Sequence, residues 1–454
     1  VIIAHMPPSD SSSEVARFVA EAERQFAQQD LAGARSACER ALALDAGALD
    51  ALSLLGRIAM QQYRWQEAIE LFDRLLRVRV DPWTLANLGN CNWKIGDLDS
   101  AENCLRGAAQ LAPDLPDVRV SLATLLHARR QFDDALAALD GVDPAGVWDA
   151  HFESRRGCAL DRLGRYDEAA AAFARAAAAK TGVFTYACLP AYDRATWEAV
   201  RAGDAAPAAP TPVDSAAPAA GGHVALISCN PPYVRRFGLP FLRSYAANAQ
   251  GGDVLHLHIY DPDDAIVDDV RVTAAQCGLQ RLAISVEESP FPAAHARQRR
   301  AWYACGRLAH MPHWLDRYGC PVLSLDVDFI VEARLDGMVA AAAGADVALN
   351  PREPVDSPWL DIIANIIVAN PTDAARDYFA AVRRFALAAL AREPEAWLVD
   401  QTALYCVLTM MRRFAQPPRI AWLAPTAADG LLWHIGHAYE HLLEDPRYRR
   451  YAAA

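Results

Sequence analysis

PVLSLDVDFIV, residues 321–331, decides how the C-terminal half of this 454-residue chain is read. An apolar run rich in branched residues ends in Asp326 and Asp328, with Val327 between them, and turns apolar again at Phe329. Side chains alternate along a strand with a period of two, so both carboxylates are expected on one face and Val327 on the other. Two carboxylates so close repel each other, and burying them without a partner is costly. A divalent cation removes both problems. The plainer reading is that the pair meets Arg or Lys side chains, or faces water at a strand end.

The neighbours of this run share its character. HVALISC (223–229), DVLHLHIYD (253–261), LQRLAISVE (279–287), ADVALN (345–350), ANIIVAN (364–370) and RIAWLAP (419–425) are short apolar runs rich in Val, Ile and Leu. Helix-length stretches at 236–249, 262–278, 293–318 and 372–391 separate most of them. Strands alternating with helices predict an α/β domain with a mostly parallel sheet covered on both faces. Ligands of such sheets bind at the carboxyl ends of the strands, where the acidic pair falls.

Upstream the period changes. DAAPAAPTPVDSAAPAAGG (204–222) is Ala/Pro-rich and nearly uncharged, which predicts a semi-extended linker. Before it, small residues recur at Ala34, Ala68, Ala101, Ala135 and Ala169, spaced by 34, 33, 34 and 34. Twelve positions earlier stand Ala22, Gly56, Gly89, Ala123 and Gly157, where two helices must approach closely. Phe72, Leu105, Leu139 and Phe173 come one helical turn after the alanines and are expected as knobs into the next unit. Pro82, Pro113 and Pro144 fall near repeat ends, where helices stop. This pattern resembles the tetratricopeptide repeat, in five copies over residues 15 to about 182. The resemblance implies a superhelix whose groove holds peptides or partner proteins; the plainer reading is an array that only scaffolds or forms a homo-oligomer. Tyr192 and Trp197 are expected to cap the last repeat. The domain boundaries so drawn are 12–203 for the repeats, 204–222 for the linker and 223–454 for the α/β domain.

Composition narrows the function. Lys+Arg 44 against Asp+Glu 56 gives a net charge of -12, which argues against a general nucleic-acid binder. Ten cysteines without a CxxC pair predict reduced thiols rather than a disulfide framework or structural Cys-zinc site. The first ten residues are too short for a signal-peptide core, and no apolar run approaches the roughly 20 residues of a membrane span. A soluble, cytoplasmic protein is the expectation.

Five motifs then occur in order: ARQRRAWYACGRLAHMPHWLDRYGC (296–320), the acidic run, IIANIIVAN (362–370), WLVDQTALYCVL (397–408) and LLWHIGHAYEH (431–441). In this order, residues 223 to 445 resemble nucleotide-sugar glycosyltransferases of the GT-A fold, closest to the retaining bacterial galactosyl- and glucosyltransferase type. The resemblance implies a complete donor site. A Mn²⁺ or Mg²⁺ bridges the diphosphate of a UDP-linked sugar and neutralises the charge of the leaving group. By the same likeness Asp328 ligates the metal; Asp326 ligates it too or reaches the ribose hydroxyls; His434 or His437 adds an imidazole, which favours Mn²⁺. Arg307 contacts the nucleotide, its fork suiting phosphate. Ser228, Cys229, Asn230 and Tyr233 hold base and ribose, with Tyr233 stacking. Asn365 matches the family's Asn-x-Gly, but Ile367 replaces the glycine and is expected to reshape the donor pocket. Asp400 and Gln401 lie beside the reacting sugar, Asp400 holding its hydroxyls or acting as base; the plainer role of Asp400 is to cap the helix beginning there. Glu353 and Asp361 are further candidate bases if transfer inverts the sugar.

The expected function is therefore metal-dependent transfer of a sugar to a protein or peptide recruited by the repeats. Two alternatives compete. One is a non-catalytic repeat adaptor with a degenerate C-terminal domain, which the altered Asn-x-Gly favours. The other is a haloacid-dehalogenase-like phosphotransferase, whose DxD opens its domain rather than coming about 100 residues into it. Arg297, Arg299 and Arg300 are assigned to a solvated helix face.

Overall fold

The structure, a computed structural model, describes residues 10–141, 149–179, 189–203, 207–249, 251–352, 357–394, 396–424, 427–434 and 443–452. The chain divides into two compact units, Val1–Ala179 and Lys180–Ala454.

The first unit is a row of helical hairpins: α1 (Asp10–Ala27) with α2 (Leu31–Leu44), α3 (Leu49–Gln61) with α4 (Trp65–Leu76), α5 (Pro82–Lys94) with α6 (Leu98–Leu111), α7 (Pro116–Ala128) with α8 (Phe132–Ala138), and α9 (Asp149–Arg162) with α10 (Tyr166–Ala178). Asp30, Asp81 and Asp97 cap α2, α5 and α6 by accepting hydrogen bonds from the amides of Gly33, Thr84 and Ser100. The five hairpin turns each place one residue at positive φ, namely Gln29, Tyr63, Gly96, Arg130 and Gly164. Only two of these are glycine, so residue type alone does not mark this second periodic feature.

The small-residue rule holds, with one correction. A Cβ built on Gly56 would lie 2.5 Å from the Phe72 ring, and one on Gly157 would lie 2.7 Å from Phe173. The knob from α4 or α10 thus closes its own hairpin; it is not reserved for the next unit. Phe72 is fully buried, so its ring has nowhere to retreat. Gly56→Val is expected to destabilise the unit by about 1–3 kcal/mol through overpacking. Chemical denaturation would measure this, and an unchanged midpoint would show that the contact is slack.

The second unit is built on a mixed sheet. Its strands are β1 (Thr211–Asp214), β2 (Val224–Cys229), β3 (Val254–Tyr260), β4 (Leu282–Glu287), β5 (Val322–Leu325), β7 (Val347–Pro351), β8 (Ile362–Ala369) and β9 (Ile420–Trp422), in the order β1-β4-β3-β2-β5-β8-β7-β9. Strands β4, β3, β2 and β5 run parallel, as do β7 and β9, whereas β8 is antiparallel to both its neighbours. Strands β6 (Phe329–Val331) and β10 (Leu432–His434) form a separate antiparallel pair. The helices are α11 (Arg194–Ala202), α12 (Pro231–Tyr233), α13 (Leu239–Asn248), α14 (Ile266–Gln276), α15 (Ala296–Ala309), α16 (Met311–Tyr318), α17 (Asp336–Ala341), α18 (Asp373–Arg392), α19 (Val399–Phe414) and α20 (Pro446–Ala452). A π-helical turn, Val234–Gly238, joins α12 to α13. The expected mainly parallel sheet with interleaved helices is present, made mixed by β1 and β8, which run antiparallel to their neighbours. Strands β2, β3 and β5 are buried along their whole length, as layers on both faces require.

Three expectations are corrected. The acidic run is not one strand: β5 stops at Leu325, residues 326–328 turn, and Phe329 starts β6 in the other sheet. The Ala/Pro-rich segment is not a free linker, because Thr211–Asp214 adds to β4 as an antiparallel edge strand. Pro212 is tolerated there because an edge strand can forgo one amide, and the Arg271 guanidinium reaches both Asp214 oxygens, at 2.8 and 2.9 Å. Tyr192 and Trp197, expected as a cap on the repeats, belong to the second unit. Helix α11 packs on α18 and α19, Arg413 donates to the Tyr192 carbonyl, and Arg384 donates to that of Val200. Among the described residues no helix is long and apolar enough to cross a membrane.

Candidate functional site

The carboxyl ends of β2 and β5, the start of α12, one side of α15 and the first turn of α19 enclose a cleft of about 430 Å³. Ser228, Cys229, Asn230, Tyr233, Arg307, Asp326, Asp328, Asp400 and Gln401 all line it. Chain direction explains the convergence, since parallel strands deliver their loops to the same edge.

Arg307 is the electrostatic centre. It is 4% exposed. Its Nη1 donates to the Leu325 carbonyl at 2.9 Å, and its Nη2 donates to that of Ala364 at 2.7 Å and pairs with Asp326 Oδ1 at 2.5 Å. Burial pushes the guanidinium down, but the charges of Asp326 and Asp400 outweigh this and hold it above its ordinary value. The fork expected to take phosphate is thus committed to the end of β5, to β8 and to Asp326. Asp326 is fixed from its backbone as well, its amide donating to the Asn365 carbonyl at 2.9 Å.

Asp328 is buried, at 3% exposure, and its Oδ2 lies 3.3 Å from His434 Nε2. The pairing of β10 with β6 brings them together, placing His434 opposite Phe329, the residue after Asp328. The Phe329 and His434 rings are 5.1 Å apart. His437 lies outside the described residues. Asp326, Asp328 and His434 do not gather three ligand atoms within 4.8 Å of one another among the described residues. Asp328, which lines the cleft, is thus paired with His434, which does not line it, while Asp326 is held on Arg307. That suits a metal completed by substrate phosphates and water rather than caged by protein.

Asp400 sits in the first turn of α19; the N-cap position is Leu398, but the Asp400 carboxylate accepts from the first-turn amides of Asp400 and Gln401, so it serves the helix start from inside the turn. Leu398 has φ +60, a strained conformation for a branched side chain, next to the cleft. Burial raises the Asp400 pKa; the Arg307 charge opposes this, and Asp326 adds to it. Gln401 Oε1 is buried without a hydrogen-bond partner. Cys229 is buried and its thiol is pushed up by desolvation, which removes it as a nucleophile.

Two expectations miss the cleft. Asn365 does not line it; its Oδ1 accepts from Asn350 Nδ2 at 2.8 Å, and its contribution is the carbonyl that holds Asp326. Ile367 is fully buried inside β8, opposite Ser324 and Leu349, and does not border the cleft either. Of the candidate bases, Asp400 lines the cleft, Asp361 does not, and Glu353 lies outside the described residues.

Among the lining residues that the sequence reading does not assign to the site, Arg300, Tyr303 and Trp397 carry polar or aromatic groups. Arg300 is exposed in the cleft wall rather than on an idle face. Its neighbour Arg299 is spent on Asp261, whose Oδ2 also accepts the Tyr303 hydroxyl at 2.5 Å. Trp397 is 46% exposed just before the Asp400–Gln401 pair, and its place three residues before Asp400 in the same motif is the signal the sequence carries.

Residues 25–88 match the Tetratricopeptide repeat family and residues 87–185 the Tetratricopeptide repeat-like domain family. Solved structures of MamA (19% identity, 37% of this chain and 93% of that one, TM-score 0.32) and of YrrB, a TPR protein with an unusual peptide-binding site (18%, 38% and 93%, TM-score 0.31), are similar over part of the chain. So is TTC0263, a thermophilic TPR protein of Thermus thermophilus (18%, 36% and 91%, TM-score 0.32). No curated protein matches the chain. The family matches, rather than these partial superpositions, make the N-terminal helices a tetratricopeptide-repeat array, a protein-interaction type of domain.

Proposed function

We propose that the second unit is a metal-dependent, GT-A-type glycosyltransferase that moves a sugar from a nucleotide-diphosphate donor, of the UDP-sugar class, to a protein or peptide captured by the repeat array. The observation that carries this reading is the cleft at the end of β5. There Asp326 and Asp400 act on one buried cation, Arg307, while Asp328 lines the same cleft without sharing that cation and meets His434. An acidic side chain paired with an imidazole rather than with Arg307 suits an added cation, and the exposed Arg300 in the cleft wall suits the phosphates that would come with it.

Asp328 and His434 would hold Mn²⁺ or Mg²⁺, and the bound ion would supply neutralisation of the charge that develops on a departing nucleoside diphosphate. Tyr233 and Trp397 offer exposed aromatic faces for the base or sugar. Asp400, in a dry position with its affinity for protons raised, accepts hydrogen bonds from sugar hydroxyls or takes the proton of an acceptor hydroxyl. Arg300, exposed and lining the cleft, contributes a second positive charge toward the diphosphate.

The adaptor alternative draws no support from Ile367, which does not reach the cleft. The test is incubation with a panel of UDP-, GDP- and dTDP-sugars with and without Mn²⁺, reading release of free sugar as slow hydrolysis. Mn²⁺-dependent release from one nucleotide class is expected. A panel left intact and unbound under both conditions would sink the proposal. In the active case Arg300→Ala is expected to raise the donor KM about tenfold, the worth of one charge-assisted contact, with kcat within a factor of about three. An unchanged KM would return Arg300 to the solvated face.

A further inference from the structure

Behind α15, on the side that does not line the cleft, lies a second cluster. His258 in β3 is fully buried, His310 at the junction of α15 and α16 is 3% exposed, and the Glu287 side chain at the end of β4 is 7% exposed. One ligand atom from each lies within 4.8 Å of the other two. His258 Nε2 is 3.4 Å from Glu287 Oε2, and His310 Nε2 rests directly against the same oxygen. None of the three atoms makes a hydrogen bond of acceptable geometry. Two buried imidazoles and a carboxylate thus meet at one point with only one another as partners, an arrangement that a shared ion or proton completes.

We propose that His258, Glu287 and His310 form a second divalent-metal site, of the Zn²⁺ class, separate from the cleft. Two imidazole nitrogens and one carboxylate oxygen are a zinc donor set. A tetrahedral ion with bonds of about 2.0 Å sets its ligands about 3.3 Å apart, close to the His258–Glu287 separation, whereas His310 rests closer to Glu287 and has to draw back to admit the ion. Magnesium and calcium, which ask for six or more oxygens, fit a dry nitrogen-rich pocket poorly. The surroundings are built to aim these ligands. His258 Nδ1 is 2.9 Å from Ser285 Oγ, which also lies 2.8 Å from His256 Nε2. The Trp302 indole donates to Glu287 Oε1 at 2.8 Å, leaving Oε2 turned toward the imidazoles. Partners that fix ring orientation from behind are the usual support of a metal ligand. By contrast, His223, Asp253 and Asp336 also cluster, but Arg334 already pairs with both carboxylates and Asp336 is exposed.

The consequence reaches the cleft through α15. The same helix carries Trp302 and ends at His310 on one side, and presents Arg300, Tyr303 and Arg307 to the cleft on the other. An ion tying His310 to β3 and β4 would therefore fix the helix that positions Arg307.

The test uses the full chain, purified without chelator, and an Asp328→Ala variant in which the cleft pair is broken. Metal analysis is expected to find about one zinc per chain in both, and Co²⁺ exchanged into either is expected to give the visible absorption of a tetrahedral nitrogen/oxygen site. Glu287→Gln and His310→Gln should each reduce bound metal at least tenfold. Because these buried substitutions can unfold the unit, wild type is also melted with and without chelator. A Tm that falls by several degrees and recovers on adding Zn²⁺ supports the site. Wild type that holds no zinc after exposure to it, and melts identically with chelator, overturns the proposal and leaves a proton-bridged cluster. Zinc that is lost in Asp328→Ala overturns it as well, since the ion then belongs to the cleft.

Discussion

Asp328→Ala is expected to abolish Mn²⁺-dependent binding of a nucleoside diphosphate, by about 100-fold or more, while leaving the fold as stable as before or more stable. Both halves come from the same geometry. Asp328 is 3% exposed, with Asp326 two positions away and His434 3.3 Å from its oxygen. A carboxylate buried near another is tolerated because of what it does, not for the stability it adds. Removing it takes away one of two protein ligands, and losses of roughly one hundred- to one thousand-fold result when a group that meets developing charge is deleted. Titration calorimetry and thermal melting on the same samples separate the two effects. Lost binding together with a fall in stability of several kcal/mol would mean that Asp328 is a structural residue, and the metal assignment would fail.

Arg307→Ala is expected to do the opposite, costing about 3–5 kcal/mol of stability before any question of function arises. The guanidinium closes three contacts at once: the carbonyls of Leu325 and Ala364, and the carboxylate of Asp326. Without it, Asp326 loses its partner, Asp400 loses the charge that opposes its burial and is pushed further toward its protonated form, and two buried carbonyls lose their donors. In a unit of this size that corresponds to a Tm lower by roughly 10 °C. Arg307→Lys should recover only part of this, because an ammonium cannot span two carbonyls and a carboxylate in one plane. A loss under about 1 kcal/mol would show that solvent reaches the site and screens it. Arg307 is thus best described as a positioning residue for Asp326.

The strands of the large sheet are legible in the sequence except one, for a physical reason. Fully buried strands such as β2, β3 and β5 need unbroken Val/Ile/Leu runs, which stand out. The missed strand, Thr211–Asp214, is a mostly exposed edge with a proline, so it carries neither an apolar run nor alternation. The two-sheet split of the acidic run was illegible because Leu325 and Phe329 are both apolar and only the register to β8 and to β10 tells them apart. The cleft was legible through residue types whose chemistry is distinctive, Asp326, Asp328 and Asp400 above all. Where a side chain has two acceptable partners, the sequence could not choose. Asn365 turned to Asn350 instead of the cleft, and Arg307 took carbonyls and a carboxylate instead of offering its fork. Arg300 was lost among its neighbours, since one basic residue on an arginine-rich helix looks like the next until α15 is set against α19.

The most direct measurement of the central claim is calorimetric titration of the full chain with UDP, in the presence and in the absence of Mn²⁺. One binding event per chain that requires the ion, and that vanishes in Asp328→Ala while the protein remains folded, is the predicted result. Absence of binding to UDP, GDP or dTDP with Mn²⁺ present, or binding that ignores both the ion and Asp328, would contradict it.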